Sequence, residues 1–397
     1  MLTAVASLLK SPRPVAVPSA SRLANQLTVG VFALFLTVPL AGSLLRTPTQ
    51  PTSENRPLNP VPYAPTAKWK VQSFPFMFDA YFGDRLGYRK ELLGLRQRLL
   101  VETLGDSITD KAWIGRDGWL FVNCIGPGDF PVLQPDPEVQ IQKWADALEE
   151  RRQWLAARDI RYVVMVVPEK SSVYPEHLPA WLQRHPPPDL LTPLTPRVPN
   201  VSLLNPLPTI LEAKKTVPEL YQKYDSHWTC AGAYVAYCQL GRQLERDRPG
   251  YHFKPLSEFE LKPWLADEHD MAKALDRSPQ DCVEGMLHFV ERNGPAKPLP
   301  TDTLDALMEP HEDRMKNLVQ HLTESDRGVG RAVLLHDSFG LKLHHLIASD
   351  FRRLAAVGTY GFPTNVIEAE KPDVVIQLMV ARALPFVPPT RLAKMTP

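Results

Sequence analysis

The sequence predicts an α/β protein built on a mostly parallel central sheet, and three observations carry that prediction. Between residues 332 and 380 strand-like and helix-like runs alternate: strand 332–335, helix 340–353, strand 354–359, short helix 364–370 and strand 372–380. Such alternation implies parallel strands joined by helical crossovers and covered on both faces. Residues 162–167 (YVVMVV) form a short, nearly all-apolar, valine-rich run, as expected of a strand with no solvent face. Ahead of it, residues 138–158 keep Ile141, Trp144, Ala145, Leu148 and Leu155 on one helical face and charge on the other.

Taken in order, the chain opens on an address. No charged residue falls between Leu23 and Leu45, a stretch long enough to cross a bilayer as a helix. Lys10, Arg13 and Arg22 precede it and Arg46 follows, so the positive-inside rule leaves residues 1–22 in the cytoplasm and sends the rest across. Residues 23–46 are expected to be a signal anchor; a cleaved signal peptide ending near Ala41-Gly42-Ser43 is the alternative. Residues 47–68 are a proline-rich linker, part of an unusual load of 41 prolines. The globular domain is expected over 69–397, outside the cytoplasm of a cell whose inner membrane holds the anchor.

Within that domain, residues 69–104 are expected to be helical, with Phe74, Phe76 and Phe78 followed by a charged amphipathic run. Asp117-Gly118 between two apolar pieces signals a hairpin. Residues 168–175 follow the first central strand as a loop, 201–205 form a weaker strand, and 230–246 a helix capped by Thr229. For 251–330, where Pro, His and acidic residues interrupt every period, only short helices are expected.

A net charge of +1, from 45 basic and 44 acidic residues, argues against a nucleic-acid partner. Four cysteines (Cys124, Cys230, Cys238, Cys282) show no Cys-x-x-Cys spacing, and Cys230 and Cys238 share one predicted helix about 12 Å apart, too far to bridge. His269-Asp270 and His336 lack metal-ligand spacing, and His344-His345 fall in a predicted helix; no metal or other cofactor is expected.

Two short stretches carry chemistry. Tyr224-Asp225-Ser226-His227-Trp228-Thr229 supplies a carboxylate and an imidazole two positions apart, which project from one side of an extended segment. His336-Asp337-Ser338-Phe339-Gly340 places a serine just past a strand, at the carboxyl edge where parallel sheets gather functional groups. A hydroxyl, a base and an orienting acid are the parts of nucleophilic acyl chemistry. Asp225, His227 and Ser338 are therefore the candidate triad, with amides of the turn, including that of Ser338, for an oxyanion. Each stretch also has a plainer reading: a histidine packed beneath Trp228, and Asp337 or Ser338 as a helix N-cap. Lys170 and Tyr174 are candidates to line the pocket, with ordinary surface as the alternative.

Together these stretches resemble the alginate O-acetyltransferase family of the AlgJ/AlgX type, whose catalytic domain is SGNH hydrolase-like. The resemblance runs from about Gly118 to Arg382 and includes Asp117-Gly118-Trp119-Leu120-Phe121, Pro168-Glu169-Lys170, Tyr174-Pro175-Glu176, Leu178-Pro179, Asp225-Ser226-His227-Trp228-Thr229, Gly232-Ala233, Asp337-Ser338-Phe339-Gly340 and Lys371-Pro372-Asp373-Val374-Val375-Ile376. It implies an SGNH hydrolase-like three-layer fold, with Ser338 as nucleophile, His227 as general base and Asp225 as its orienting carboxylate. It further implies transfer of acetyl groups, supplied by a membrane partner protein, to hydroxyls of an exported polysaccharide. An acetyl-esterase of the same fold and a non-catalytic glycan-binding envelope protein are the alternatives. The chain departs from the family pattern at His336, where glycine is common, and at Gln377, where an acidic residue is expected.

Overall fold

In the computed structural model the described residues are 19–45, 59–62, 68–89, 91–92, 95, 112–122, 136–179, 182–183, 189–217, 219–247, 250–263, 271, 287–309, 311, 315, 318–387 and 389–392. The chain divides into two units, Met1–Leu104 and Gly105–Pro397.

The described residues of the first unit include the helices α1 (Ser19–Leu45) and α2 (Lys68–Arg85). Residues Arg22–Leu44 are long and apolar enough to cross a membrane, and Leu27, Val31 and Phe35 stand exposed along them. The hydroxyls of Thr28 and Thr37 donate back to the carbonyls of Ala24 and Ala33, so these polar groups are satisfied within the helix. The helix expected over 69–104 is interrupted after Arg85, and Arg89, Glu91, Leu92 and Leu95 are helical again. A turn through Gly87 and Tyr88 makes the interruption: Tyr88 has φ +59°, and the Gly87 amide donates to Ser43 Oγ at 2.8 Å. Residues 96–104 of that expectation and most of the 47–68 linker lie outside the described residues.

The second unit begins with a hairpin, β1 (Ala112–Ile114) against β2 (Leu120–Val122). Asp117 and Gly118, at φ +55° and +75°, form its turn, with the Trp119 amide donating to the Arg116 carbonyl. Two successive left-handed residues match the right-handed twist of the strands, which is why Asp-Gly marks the site. Helix α3 (Pro137–Ala156) follows, capped by Asp136. The chain then enters β3 (Arg161–Val167), β4 (Ser202–Leu204), α4 (Leu207–Lys214) and α5 (Cys230–Asp247). Thr229 Oγ1 accepts from the Gly232 amide, as an N-cap does.

Residues 251–330 correct the expectation of short helices alone. They hold β5 (Phe259–Pro263) paired antiparallel with β6 (Leu287–Glu291), then β7 (Lys297–Pro298), helix α6 (Asp302–Met308) and β8 (His321–Glu324). These strands are short and carry charge and proline on open faces, so they lack the apolar run or clean alternation by which a strand is read. Next come β9 (Arg331–His336), α7 (Gly340–Ile347), β10 (Arg353–Gly358), α8 (Thr364–Glu370) and β11 (Val374–Val380). Helix α7 ends six residues before the expected boundary. Beyond it the buried Asp350 carboxylate accepts from the hydroxyls of Tyr237 and Tyr251 and pairs with Lys254, which turns the chain out of the helical path.

The central sheet has the order β4-β3-β11-β9-β10-β8-β7. Its first five strands run parallel, and β8 and β7 add an antiparallel edge. All seven residues of β11 and six of the seven in β3 are buried, so the sheet is covered on both faces. The α/β expectation with a mostly parallel sheet matches this architecture.

Candidate active site

The three central strands β3, β11 and β9 end side by side. Val380 is in register with Val167, and Leu378 with His336. The segments leaving them, Pro168-Glu169-Lys170, Ala381-Arg382 and Asp337-Ser338-Phe339, therefore share one edge of the sheet. Asp337 shapes the last of these. Its carboxylate, 1% exposed, accepts from the Phe339 amide at 2.9 Å and from the Val380 amide at 2.7 Å. Burial pushes its pKa up, against the pull of the amides and of Arg382. The turn from β9 to α7 is thus clamped to β11, with Ser338 at its crest. Phe339 stands at the head of α7 without a side-chain cap bond of its own; the Asp337 carboxylate on the Phe339 amide is the capping bond that one reading of the sequence allowed.

The Asp225–His227 segment arrives from the far side as a tight reversal. The Gln222 amide donates to the His227 carbonyl, the Thr229 amide to the Leu220 carbonyl, and Tyr221 and Trp228 form a bridge. Trp228, fully buried, donates its indole N–H to the Phe339 carbonyl at 3.1 Å and meets the Phe339 ring edge-on. That contact ties the reversal to the serine turn across 111 residues of sequence.

The structure brings the three sequence candidates together. Asp225 Oδ1 lies 2.6 Å from His227 Nδ1 and also accepts from the His227 amide at 2.8 Å. His227 Nε2 lies 2.7 Å from Ser338 Oγ. With Nδ1–H donating to the carboxylate, Nε2 is left to accept the serine O–H. Asp225 is nearly enclosed and His227 about one-fifth exposed, so the imidazole is the partly open member. The extended i, i+2 spacing lets one carboxylate oxygen meet both the ring and the amide of residue 227.

Other groups at this edge were less legible. Glu169 and Arg382 form an ion pair at 2.9 Å joining the ends of β3 and β11, and the Arg382 guanidinium lies 5.4 Å from the Phe339 ring. The signal for both was position alone, immediately after a strand. Lys170 and Tyr174, read as pocket candidates, are both buried. The Tyr174 hydroxyl accepts from the Leu220 amide, and the Lys170 amine reaches under the reversal to carbonyls of Gln222, Lys223 and Asp225. The segment 168–175 is also less of a loop than expected, since Lys170–Val173 makes one helical turn.

Gln377 lies away from this edge, within β11. Its Oε1 accepts from Arg151 at 3.0 Å and from the Tyr162 hydroxyl, a buried cluster beneath α3. His336 is fully buried, its Nδ1 at 2.7 Å from the Asp337 carbonyl, and burial lowers its pKa to about 4. His344 stacks on His321, and burial lowers it to about 2. Among the described residues no three His, Cys, Asp or Glu side chains converge as a metal site. Cys230 and Cys238 are free thiols in α5, whereas Cys124, Cys282, His269 and Asp270 lie outside the described residues.

Comparison with known proteins places the chain. Residues 112–310 match the model of the SGNH hydrolase-like domain of acetyltransferase AlgX. Over 145 residues the chain is 30% identical to the probable alginate O-acetylase AlgJ of Pseudomonas syringae pv. tomato; the match covers 34% of this chain and 34% of that relative. Among solved structures, Bacillus cereus PatB1 with a sulfonyl adduct aligns over 70% of this chain and 96% of its own, with TM-score 0.51 and 15% identity. A DHHW family protein from Eubacterium siraeum covers 70% of this chain and 93% of its own, with TM-score 0.50 and 13% identity. At such identities the structural likeness speaks for the fold. The family match ends before Ser338, whose place beside His227 is a matter of geometry.

Proposed function

Because the chain belongs to the SGNH hydrolase-like acetyltransferase family of the AlgX and AlgJ type, we propose that it is an O-acetyltransferase working through an acetyl-Ser338 intermediate. The observation that carries this reading is the continuous hydrogen-bonded line from Asp225 through His227 to Ser338. His227 Nε2 takes the Ser338 proton as Oγ attacks the carbonyl carbon of an acetyl donor. The oxyanion that forms is assigned to the backbone N–H of Ser338, because the neighbouring Phe339 and Gly340 amides already donate to Asp337. Collapse expels the donor's leaving group, which takes the proton back from the imidazolium. A hydroxyl of the acceptor then gives its proton to His227, attacks the acetyl-serine carbonyl and leaves as an O-acetyl ester, restoring Ser338. Asp225 keeps Nδ1 protonated throughout and offsets the charge of the imidazolium.

The acceptor class we infer is an exported polysaccharide, with alginate, named in the AlgJ relative, as the first to test. A membrane partner protein delivers the acetyl donor. Residues 1–22 remain cytoplasmic, 23–46 form a single-pass inner-membrane anchor, 47–68 a linker and 69–397 an extracytoplasmic domain. The apolar helix α1, with its outward-facing side chains, supports the anchor. Retention in membranes after a high-salt and alkaline wash is expected; release by that wash rejects the anchor.

The enzymatic test incubates the full chain in detergent with an acetyl ester donor, with and without oligosaccharide acceptor. Acetylated acceptor from the native chain and none from Ser338→Ala is expected. Acetate release unaffected by acceptor would make the protein an esterase instead. Activity of Ser338→Ala equal to that of the native chain would reject the serine mechanism.

A further inference from the structure

Lysine is almost never fully buried unless its charge is partnered, yet Lys170 is only 3% exposed. Its position follows from the sheet: β3 ends at Val167, Pro168 fixes the exit, and Lys170 opens the one-turn helix Lys170–Val173 facing away from solvent. The ammonium has three N–H donors. Three carbonyl oxygens receive them, those of Gln222 at 2.7 Å, Lys223 at 3.0 Å and Asp225 at 2.8 Å. The rings of Trp119 and Phe121 lie 5.4 and 5.2 Å from Nζ and close the cage with their electron-rich faces.

All three carbonyls belong to the reversal that carries Asp225. Turned towards one point, their dipoles repel unless a cation sits there. The ends of the reversal have their own fastenings, the Gln222–His227 and Leu220–Thr229 backbone bonds and the buried rings of Tyr221 and Trp228. In its middle the Lys223 carbonyl also accepts from the Leu120 amide of β2 at 3.0 Å, and the Lys170 ammonium joins that carbonyl to those of Gln222 and Asp225. Residue 225 presents its carbonyl inward to the ammonium and its carboxylate outward to the His227 ring. Fixing the first therefore fixes the backbone from which the second is aimed.

We propose that Lys170 is a positioning residue for the acyl-transfer reaction: its ammonium gathers the carbonyls of residues 222, 223 and 225 and so holds the Asp225 carboxylate in line with His227. This rests on the acetyl-Ser338 reading above. Among the described contacts the amine meets carbonyls of the reversal, not Ser338 Oγ or the His227 ring. Its work is to keep the base aligned with the serine before substrate arrives, and displacement of a catalytic group by about 1 Å costs on the order of 100-fold in rate.

The test uses the full chain in detergent, with 4-nitrophenyl acetate as substrate and a thermal melt on every sample. Lys170→Met keeps the length of the side chain and removes the cation. It is expected to lower kcat roughly 100-fold while KM stays within about threefold, because the acyl pocket is untouched. Lys170→Ala removes the volume and charge of a propylammonium ion. Added propylammonium chloride is expected to raise kcat of this variant at least about tenfold, one decade of the roughly hundredfold loss, with no effect on the native chain. A folded Lys170→Met with kcat within about threefold of native overturns the proposal, as does a kcat loss that only tracks the unfolded fraction in the melt. If Lys170→Met does not fold, Lys170→Ala is purified in propylammonium and the amine is then removed. Reversible loss of kcat supports positioning, and activity that survives removal refutes it. A native chain no faster than Ser338→Ala would instead overturn the acetyl-Ser338 reading, so the two failures are distinct.

Discussion

Replacing Asp225 by Asn removes a charge while keeping the shape of the side chain, and the structure sets the size of the effect. Asp225 Oδ1 accepts two hydrogen bonds, from His227 Nδ1 at 2.6 Å and from the His227 amide at 2.8 Å. An amide oxygen can still accept one of them. It cannot match a carboxylate facing an imidazolium, and an amide N–H turned towards the ring would favour the tautomer that leaves Nε2 unable to accept the serine proton. A charge-assisted hydrogen bond contributes about 1.5–3 kcal/mol, and the tautomer penalty adds to it. Together they amount to about 3–5 kcal/mol in the transition state, or roughly 10²- to 10⁴-fold in kcat. The assay is steady-state acetate release from an acetyl ester by the full chain, with Ser338→Ala as background and a melt to verify folding. The fold should survive, because the backbone of residue 225 is held through its carbonyl by Lys170. A folded Asp225→Asn within about tenfold of native kcat would refute the role given to this carboxylate.

Two further outcomes follow from the turn behind the serine. A Cβ on Gly340 would lie 2.3 Å from His336 Cβ and 2.4 Å from its Cγ. Gly340→Ala is therefore expected to cost about 1–3 kcal/mol, the range for overpacking, and to lower kcat by displacing Ser338; a native melting temperature with native kcat would contradict this. His344 is buried and its pKa is lowered to about 2, so it is neutral in the fold, while the unfolded chain takes the proton near pH 6.5. The unfolded state binds more protons, and stability contributed by the neutral ring is lost as pH falls below that value. Between pH 7 and 4.5 the loss is on the order of 3 kcal/mol from this residue. His344→Leu should flatten the acid dependence of unfolding in urea, with His336 still contributing its share; parallel pH profiles for the two proteins would refute the assignment.

Strand-forming stretches with no solvent face were legible because burial on both sides demands an unbroken apolar run, as in β3 and β11. Helix α3 was legible because one buried face imposes its period on Ile141, Trp144, Leu148 and Leu155. The Asp117-Gly118 turn was legible because few residue pairs tolerate two successive left-handed conformations. Where tertiary forces decide, the local pattern misleads. Helix α7 stops at Ile347 because distant tyrosines and Lys254 claim Asp350, and β5–β8 hold together through partners that no single window contains.

The candidate site divides along the same line. Sequence alone determined the residue types, a D-x-H pair in an extended stretch and a serine just past an apolar strand, together with the membrane-length helix ahead of them. Only the tertiary structure decided that Asp225, His227 and Ser338 meet, and what aims them: Asp337 clamped to Val380, Trp228 bonded to the Phe339 carbonyl, and Lys170 beneath the reversal. The physical reason is range. Propensity and periodicity act over a few residues, whereas a hydrogen bond between His227 and Ser338 spans 111 positions and exists only because the reversal carrying His227 is tied, through Trp228, to the turn at the end of β9.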